Sequence, residues 1–282
     1  MRIKTFASAL LIFALFGFTQ YVPAPTPDKS ESTTSKPSLI SLKAVLIVGH
    51  LEDGTAAAME SMDEIADLFR SKGVTVHCFY DHHADWEKIR TASKDANFFV
   101  YAGHGSTMGA GGKTGGLCIK TMISSKNILE GLQLPKNSMV IFKSVCRGAG
   151  SSATDNGDIG INEALERVSD YAQPFFKSGA SCYYANNLGD GCTNFIEDFF
   201  SGKPIKECFE KSAKPWAKIE LVKKYAVDQT REIGIASTDW GGVTTRTTHI
   251  NGVKKVEKIP SHKQYDIAYV SNSTFSIRDM RE

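Results

Sequence analysis

Two stretches decide the fold of this chain: Phe98-Phe99-Val100-Tyr101-Ala102-Gly103-His104-Gly105 and Met139-Val140-Ile141-Phe142-Lys143-Ser144-Val145-Cys146. Each contains a short, continuous apolar run, which is typical of a strand buried on both faces of a parallel sheet. All strands of a parallel sheet bring their carboxyl ends to one edge, so we expect His104 and Cys146 to meet there. A histidine beside a cysteine can hold the thiol as a thiolate or carry its proton.

The surrounding sequence predicts alternating strands and helices. Residues 43–49 and 74–80 are apolar runs that predict strands, and apolar residues three and four apart between them predict a helix. Further helices are expected at 85–93, 125–132, 162–177 and 193–200, with a strand at 180–185 and one long helix from Pro204 to about Thr230. This order predicts an α/β fold: a doubly wound, mostly parallel sheet with helices on both faces.

Composition and the N-terminal sequence limit the classes of protein to which this chain can belong. The 282 residues are 41% hydrophobic and 23% charged, which is enough apolar sequence for one well-buried domain. Residues 1–24 have basic Arg2 and Lys4, an apolar run and a small-residue exit, which predict a signal peptide and a secreted or cell-envelope protein. An uncleaved signal anchor is the alternative.

We expect a linker rich in Pro, Ser and Thr at 25–42, the α/β domain at 43–235, and at 236–282 a C-terminal extension that adds edge strands or a small packed unit.

Charge and cysteine content exclude several functions. The formal net charge of +2 falls to about zero when the signal is removed, so no nucleic-acid groove is indicated. The six cysteines are too sparse and irregular for a disulfide scaffold or a zinc site. We expect no metal and no cofactor. Beyond Cys146, buried thiols are the favoured interpretation, with pairing of Cys182 or Cys208 to Cys192 as the alternative.

Several motifs of this sequence resemble those of the clan CD cysteine peptidases, and the caspase-like CHAT branch most of all. They are His104-Gly105 after an apolar strand, Gly116-Leu117-Cys118-Ile119, Leu134-Pro135, and Ser144-Val145-Cys146-Arg147-Gly148-Ala149-Gly150. Downstream, residues 172–180 and 195–205 resemble the helix, glycine, strand and helix segments that follow the cysteine in that branch. The resemblance covers roughly residues 43 to 213.

The resemblance implies a three-layer, caspase-like α/β fold and a secreted cysteine endopeptidase. His104 would be the base and acid, and Cys146 the nucleophile that forms a thioester acyl-enzyme with a protein or peptide substrate. In this family two backbone N–H groups form the oxyanion hole, and the resemblance implies that those of Gly105 and Cys146 do so here. Glycine leaves that backbone uncovered, and fixed donors aimed at developing charge lower a barrier by about 3 to 4 kcal/mol each.

The residue preference at the scissile bond is less well defined by the sequence. Some clostripain-like members of the clan carry an acidic residue two positions before the cysteine, where this chain has Ser144. Acidic residues expected at the same sheet edge are Asp53, Asp155, Asp158 and Asp190, and any of them can pair with a basic substrate side chain. We therefore take Asp53, Ser144, Asp155 and Asp190 as the substrate pocket and expect a preference for a basic residue.

Two other functions remain open from the sequence. One is a catalytically silent caspase-like module that binds a partner or scaffolds a complex of the cell envelope, because a fold does not guarantee activity. The other is a Rossmann-like protein that binds a small ligand at the same edge and leaves Cys146 inert to thiol probes.

His50, directly after the first strand, is interpreted as structural or as a rim residue. His82 and His83, with Asp85 close by, are interpreted as a solvated turn.

Overall fold

The fold is built from alternating strands and helices. The computed structural model describes residues 41–155, 157–239, 244–250, 253–259 and 262–281. Its strands are β1 (Lys43–Val48), β2 (Thr75–Tyr80), β3 (Phe98–Ala102), β4 (Leu117–Cys118), β5 (Met122–Ile123), β6 (Met139–Lys143), β7 (Cys182–Asn186), β8 (Lys218–Lys224), β9 (Glu232–Asp239), β10 (Thr244–Ile250), β11 (Val253–Ile259) and β12 (Lys263–Ser271). Its α-helices are α1 (Thr55–Ser71), α2 (Trp86–Ser93), α3 (Ser125–Gly131), α4 (Ile161–Lys177), α5 (Gly191–Phe200) and α6 (Ile205–Ala213).

Eight of these strands form one sheet in the order β2-β1-β3-β6-β7-β12-β9-β8. The first five are mutually parallel, and the last three pairings are antiparallel. The predicted α/β class and the mostly parallel sheet are therefore confirmed. Two small hairpins, β4 with β5 and β10 with β11, complete the described strands.

Helices cover both faces of this sheet. Side chains alternate along each buried strand, so neighbouring residues contribute to different cores. In β3, Phe99 and Tyr101 pack with helices α2, α3 and α4, whereas Phe98 and Val100 pack with α1, α5 and α6. This arrangement is compatible with the three layers expected from the alternating pattern.

The register of the parallel strands fixes the edge at which their loops emerge. Ala102, the last residue of β3, pairs with Val48 at the end of β1 and with Lys143 at the end of β6. Lys143 in turn pairs with Asn186 at the end of β7. We call this edge the carboxyl edge of the sheet. The loops that follow β1, β3, β6 and β7 all start there.

The C-terminal part of the chain requires two corrections. The long helix expected from Pro204 to about Thr230 is α6 followed by strand β8, because Lys218–Lys224 pairs with β9 along the outer edge of the sheet. The division expected at residue 235 falls inside β9, and β12 lies between β7 and β9. Residues 39–282 form one compact unit, and β9 and β12 belong to its main sheet.

Most of the N-terminal expectations lie outside the described residues. The signal peptide predicted at 1–24 does so entirely, and the linker predicted at 25–42 does so except for its last two residues. Leu42, the second of these, is buried in the core on the α1 side. None of the helices that the structure describes is long and apolar enough to cross a membrane.

Candidate active site

The loop after β3 holds His104 at the carboxyl edge. It is braced by Tyr101, whose buried hydroxyl lies 3.0 Å from the carbonyl oxygens of both His104 and Cys118 and accepts a hydrogen bond from the Cys118 N–H. Gly103 makes this close packing possible, since a Cβ there would lie 2.3 Å from the Tyr101 hydroxyl oxygen. Burial raises the pKa of Tyr101 well above its ordinary value, so the hydroxyl remains a donor throughout the physiological pH range.

Cys146 lies in a tight turn immediately after β6. The residues around it adopt left-handed backbone conformations that only glycine enters without strain: φ is 55° at Ser144 and 66° at Arg147. Backbone hydrogen bonds hold this turn, from Ser144 N–H to Asn186 O and from Arg147 N–H to Ser151 O. The turn leaves the Cys146 side chain partly exposed.

Two further elements hold the segment that follows Cys146. The buried Tyr183 hydroxyl of β7 donates a hydrogen bond to Gly148 O at 2.8 Å. Strand β12 contributes two bonds through Tyr265: its carbonyl accepts from Ser151 N–H at 3.1 Å, and its N–H donates to Ser151 Oγ at 2.8 Å. The turn at Cys146 is thus supported by strands on both sides of the parallel–antiparallel junction.

The two loops are in direct contact at Gly105. A Cβ built on this glycine would lie 1.8 Å from Cys146 O and 2.9 Å from Cys146 Cβ. Such distances mean that only a hydrogen atom fits between the two backbones. The structure therefore brings the histidine loop and the cysteine turn together, as the two sequence stretches predict.

The same contact leaves two backbone donors available. Within the described residues, the N–H groups of Gly105 and Cys146 donate no hydrogen bond to another protein group. Buried or half-buried N–H groups are normally paired. Unpaired N–H groups near a thiol can in general bind an oxyanion.

Glu52 is a site residue that the sequence interpretation missed. Its carboxylate Oε2 lies 2.9 Å from His104 Nε2, with side-chain exposures of 70% for Glu52 and 48% for His104. Glu52 begins a short 3₁₀ turn at 52–54, with φ 47°, in the loop between β1 and α1. The signal that selected its neighbour Asp53, an acid just after a strand of the parallel sheet, applied equally to Glu52.

The structure places the acidic and polar residues expected in the substrate pocket at different positions. Ser144 and Asp190 line one cavity at the carboxyl edge, and Asp53 is exposed on the turn between Leu51 and Gly54, which also line it. Asp155 is buried elsewhere, with Oδ2 2.8 Å from Arg167 Nη1. Asp158 accepts a hydrogen bond from Lys263 N–H at 2.6 Å. These two carboxylates therefore help to fix the loop after Cys146 and its link to β12.

The other thiols differ from Cys146 in their surroundings. All six cysteines are free in the structure, as the buried-thiol interpretation expects. Cys182, Cys192 and Cys208 are buried, and burial raises the pKa of Cys192 and of Cys208 to about 12. Burial also raises the pKa of Cys118. Cys78, on edge strand β2, is exposed.

Two other histidines, His50 and His82, contact the carboxylate of Asp81. His50 Nδ1 lies 2.9 Å from Asp81 Oδ1, and His82 Nδ1 lies 3.3 Å from Asp81 Oδ2. His82 and His83 are exposed in a 3₁₀ turn, in agreement with the solvated-turn interpretation. Among the described residues, no group of three or more His, Cys, Asp or Glu side chains is arranged to hold a metal ion.

Comparison with known proteins adds no relative to this picture: no family model and no curated protein matches the chain.

Proposed function

We propose that this protein is a caspase-like cysteine endopeptidase that hydrolyses peptide bonds through His104 and Cys146. The observation that carries the proposal is the contact of Gly105 with Cys146, which joins two loops whose N–H groups at Gly105 and Cys146 donate no hydrogen bond to the described protein groups. The alternation of layers and the five parallel strands are compatible with a caspase-like fold. Residues 1–24 support secretion or residence in the cell envelope.

The geometry suggests how the proton moves. His104 Nε2 faces Glu52, which leaves Nδ1 as the ring atom that can exchange a proton with the thiol. Nδ1 accepts the proton of Cys146 as Sγ attacks the substrate carbonyl carbon. The oxygen that becomes negative receives hydrogen bonds from Gly105 N–H and Cys146 N–H.

The reaction is then completed in two stages, formation of a thioester and its hydrolysis. His104 gives its proton to the departing amine as the C–N bond breaks, which leaves a thioester on Cys146. A water molecule next loses a proton to His104 and attacks the thioester carbonyl. The carboxylic acid product leaves, and Cys146 recovers its proton.

The strained backbone at Ser144 and Arg147 supports the same function. Non-glycine residues with positive φ cost about 1 to 3 kcal/mol each and persist where the surrounding structure enforces them. Here Asn186 and Ser151 hold the turn by backbone hydrogen bonds. These bonds fix the backbone on both sides of Cys146, which a thiol serving only as a small buried residue does not need.

The test is site-selective labelling with a peptidyl acyloxymethyl ketone. A Cys78→Ser background removes the exposed competing thiol, and buried Cys182, Cys192 and Cys208 serve as internal controls that should stay unmodified. We expect an adduct at Cys146, located by peptide mass spectrometry, and its loss in His104→Ala.

The contrary results separate the rival functions. A folded protein in which Cys146 reacts no faster than a free cysteine, with or without His104, would exclude the endopeptidase. It would favour a partner-binding module or a small-ligand protein that uses the same sheet edge.

A further inference from the structure

A cavity of about 370 Å³ opens at the carboxyl edge, on the face of the sheet that α1 and α5 cover. Its lining includes Gly103, which precedes His104, and Ser144, which lies two residues before Cys146. The first turns of α1 and the loop before α5 form the opposite wall. The cavity therefore lies beside the backbone that leads into His104 and into Cys146.

A buried cation lies in the wall of this cavity. Lys143, the last residue of β6, is only 8% exposed. Its neighbour Phe142 packs on the α4 side of the sheet, so strand alternation places the Lys143 side chain on the cavity side. Its ammonium group donates to Gly189 O at 2.9 Å.

This ammonium group lacks a counter-ion in the described part of the chain. Lys143 forms no ion pair with any carboxylate there, and its one side-chain hydrogen bond is the bond to Gly189 O. An ammonium group has three donors, so two remain for another acceptor. A buried charge is normally paired, which indicates that a negatively charged group from outside completes this site.

Two helix termini add to the positive potential. Both α1 and α5 begin beside the cavity, through Gly54 and Asp190 in its lining. Their first N–H groups are already bonded, that of Thr55 to Glu52 O and that of Gly191 to Leu188 O, so it is the helix dipole that favours an anion at these ends.

Acidic side chains oppose this potential only from exposed positions. Asp190 lines the cavity, and Glu52 and Asp53 occupy the adjoining turn, but all three are exposed to solvent. Water screens exposed charges much more strongly than it screens a buried one. The buried ammonium therefore dominates recognition within the cavity.

We infer that this cavity receives the acidic side chain, aspartate or glutamate, of the substrate residue whose carbonyl Cys146 attacks, with Lys143 as its counter-ion. The inference rests on the proposed peptidase function and reverses the basic preference expected from the sequence. Asp155 and Asp158, two of the acids behind that expectation, are occupied by Arg167 and Lys263.

The test compares peptides that differ only at the residue before the scissile bond: Asp, Glu, Asn, Gln, Lys or Arg. Peptides with Asp or Glu should be cleaved with kcat/KM at least about tenfold above their Asn and Gln counterparts, because the amides lack the charge. Lys143→Met should lower kcat/KM for the acidic peptides by about 10²-fold and affect the amide peptides much less.

Two variants keep the test decisive. Lys143→Arg retains a cation and should preserve the acidic preference, and thermal melting of each variant separates loss of recognition from loss of folding. Asp190→Asn removes a negative charge from the wall of the same cavity and should raise kcat/KM for the acidic peptides. Preferential cleavage after Lys or Arg that disappears in Asp190→Asn would overturn the inference and assign specificity to Asp190.

The two proposals fail differently. If acyloxymethyl ketones label Cys146 equally well with Asp, Asn or Lys beside the reactive group, the peptidase function stands and the acidic pocket is wrong. If none of these probes labels Cys146 in the folded protein, both proposals are wrong.

Discussion

Gly105→Ala is the substitution that tests the site most directly. The added methyl carbon would lie 1.8 Å from Cys146 O and 2.7 Å from Cys146 C, both atoms of the backbone. No side-chain rotation can relieve such an overlap. Ordinary contact begins at 3.4 Å, so the histidine loop and the cysteine turn must separate by about 1.6 Å.

This separation can be converted into an expected loss of activity. A displacement of about 1 Å in a reacting group costs on the order of 10²-fold in rate, and the loss of one oxyanion donor costs about 10² to 10³-fold. Both effects act here, because the same backbone carries the Gly105 donor and positions His104. We expect kcat/KM to fall by at least about 10²-fold.

The assay pairs activity with folding. Hydrolysis of a fluorogenic peptide and the rate of Cys146 labelling are measured beside the melting temperature. Gly160→Ala is the matched control, since a Cβ there meets nothing within 4 Å and the residue has φ of −70°. It lies on the segment between Cys146 and α4 and should retain full activity.

One result would refute the reasoning. If Gly105→Ala melts like the parent protein and keeps kcat/KM within about threefold of it, then the contact between the two loops does not shape the reacting centre. That result would also refute the proposed role of the Gly105 N–H group in binding the oxyanion.

Two other substitutions give smaller, separable effects. Glu52→Gln removes the charge beside the imidazole of His104; because that pair is exposed, we expect kcat/KM to fall only about two- to fivefold. An unchanged kcat/KM would show that Glu52 does not act on the imidazole. Tyr183→Phe deletes the buried donor to Gly148 O and should lower the free energy of unfolding by about 1 to 2 kcal/mol, measured by urea denaturation. Unchanged stability would mean that the carbonyl finds another donor.

The parallel half of the fold was readable because its strands are buried on both faces. In β3 and β6 every residue is buried, and such segments appear in a sequence as unbroken apolar runs. Helices α1 and α4 were equally clear, since their buried residues recur at helical spacing. The predicted meeting of His104 and Cys146 follows from this half alone.

The antiparallel half was harder to predict from the sequence. Strand β8 is a half-exposed edge strand, and its mixture of Lys, Glu and apolar residues also suits an amphipathic helix. Nothing local in residues 263–271 shows that β12 pairs with β7, because the two strands are some eighty residues apart in the chain. Lys143 was overlooked for a similar reason, since a lysine that ends an apolar strand gives no sequence signal of its burial.

The position of β12 makes assembly of the site depend on synthesis of the whole domain. Strands β8 and β9 reach the rest of the sheet only through β12, which leaves the ribosome after both of them. Its Tyr265 also supplies the bonds that hold Ser151, just downstream of Cys146. A nascent chain that already contains His104 and Cys146 thus lacks part of the support for the turn at Cys146, which is completed only when the last strand of the sheet has been made.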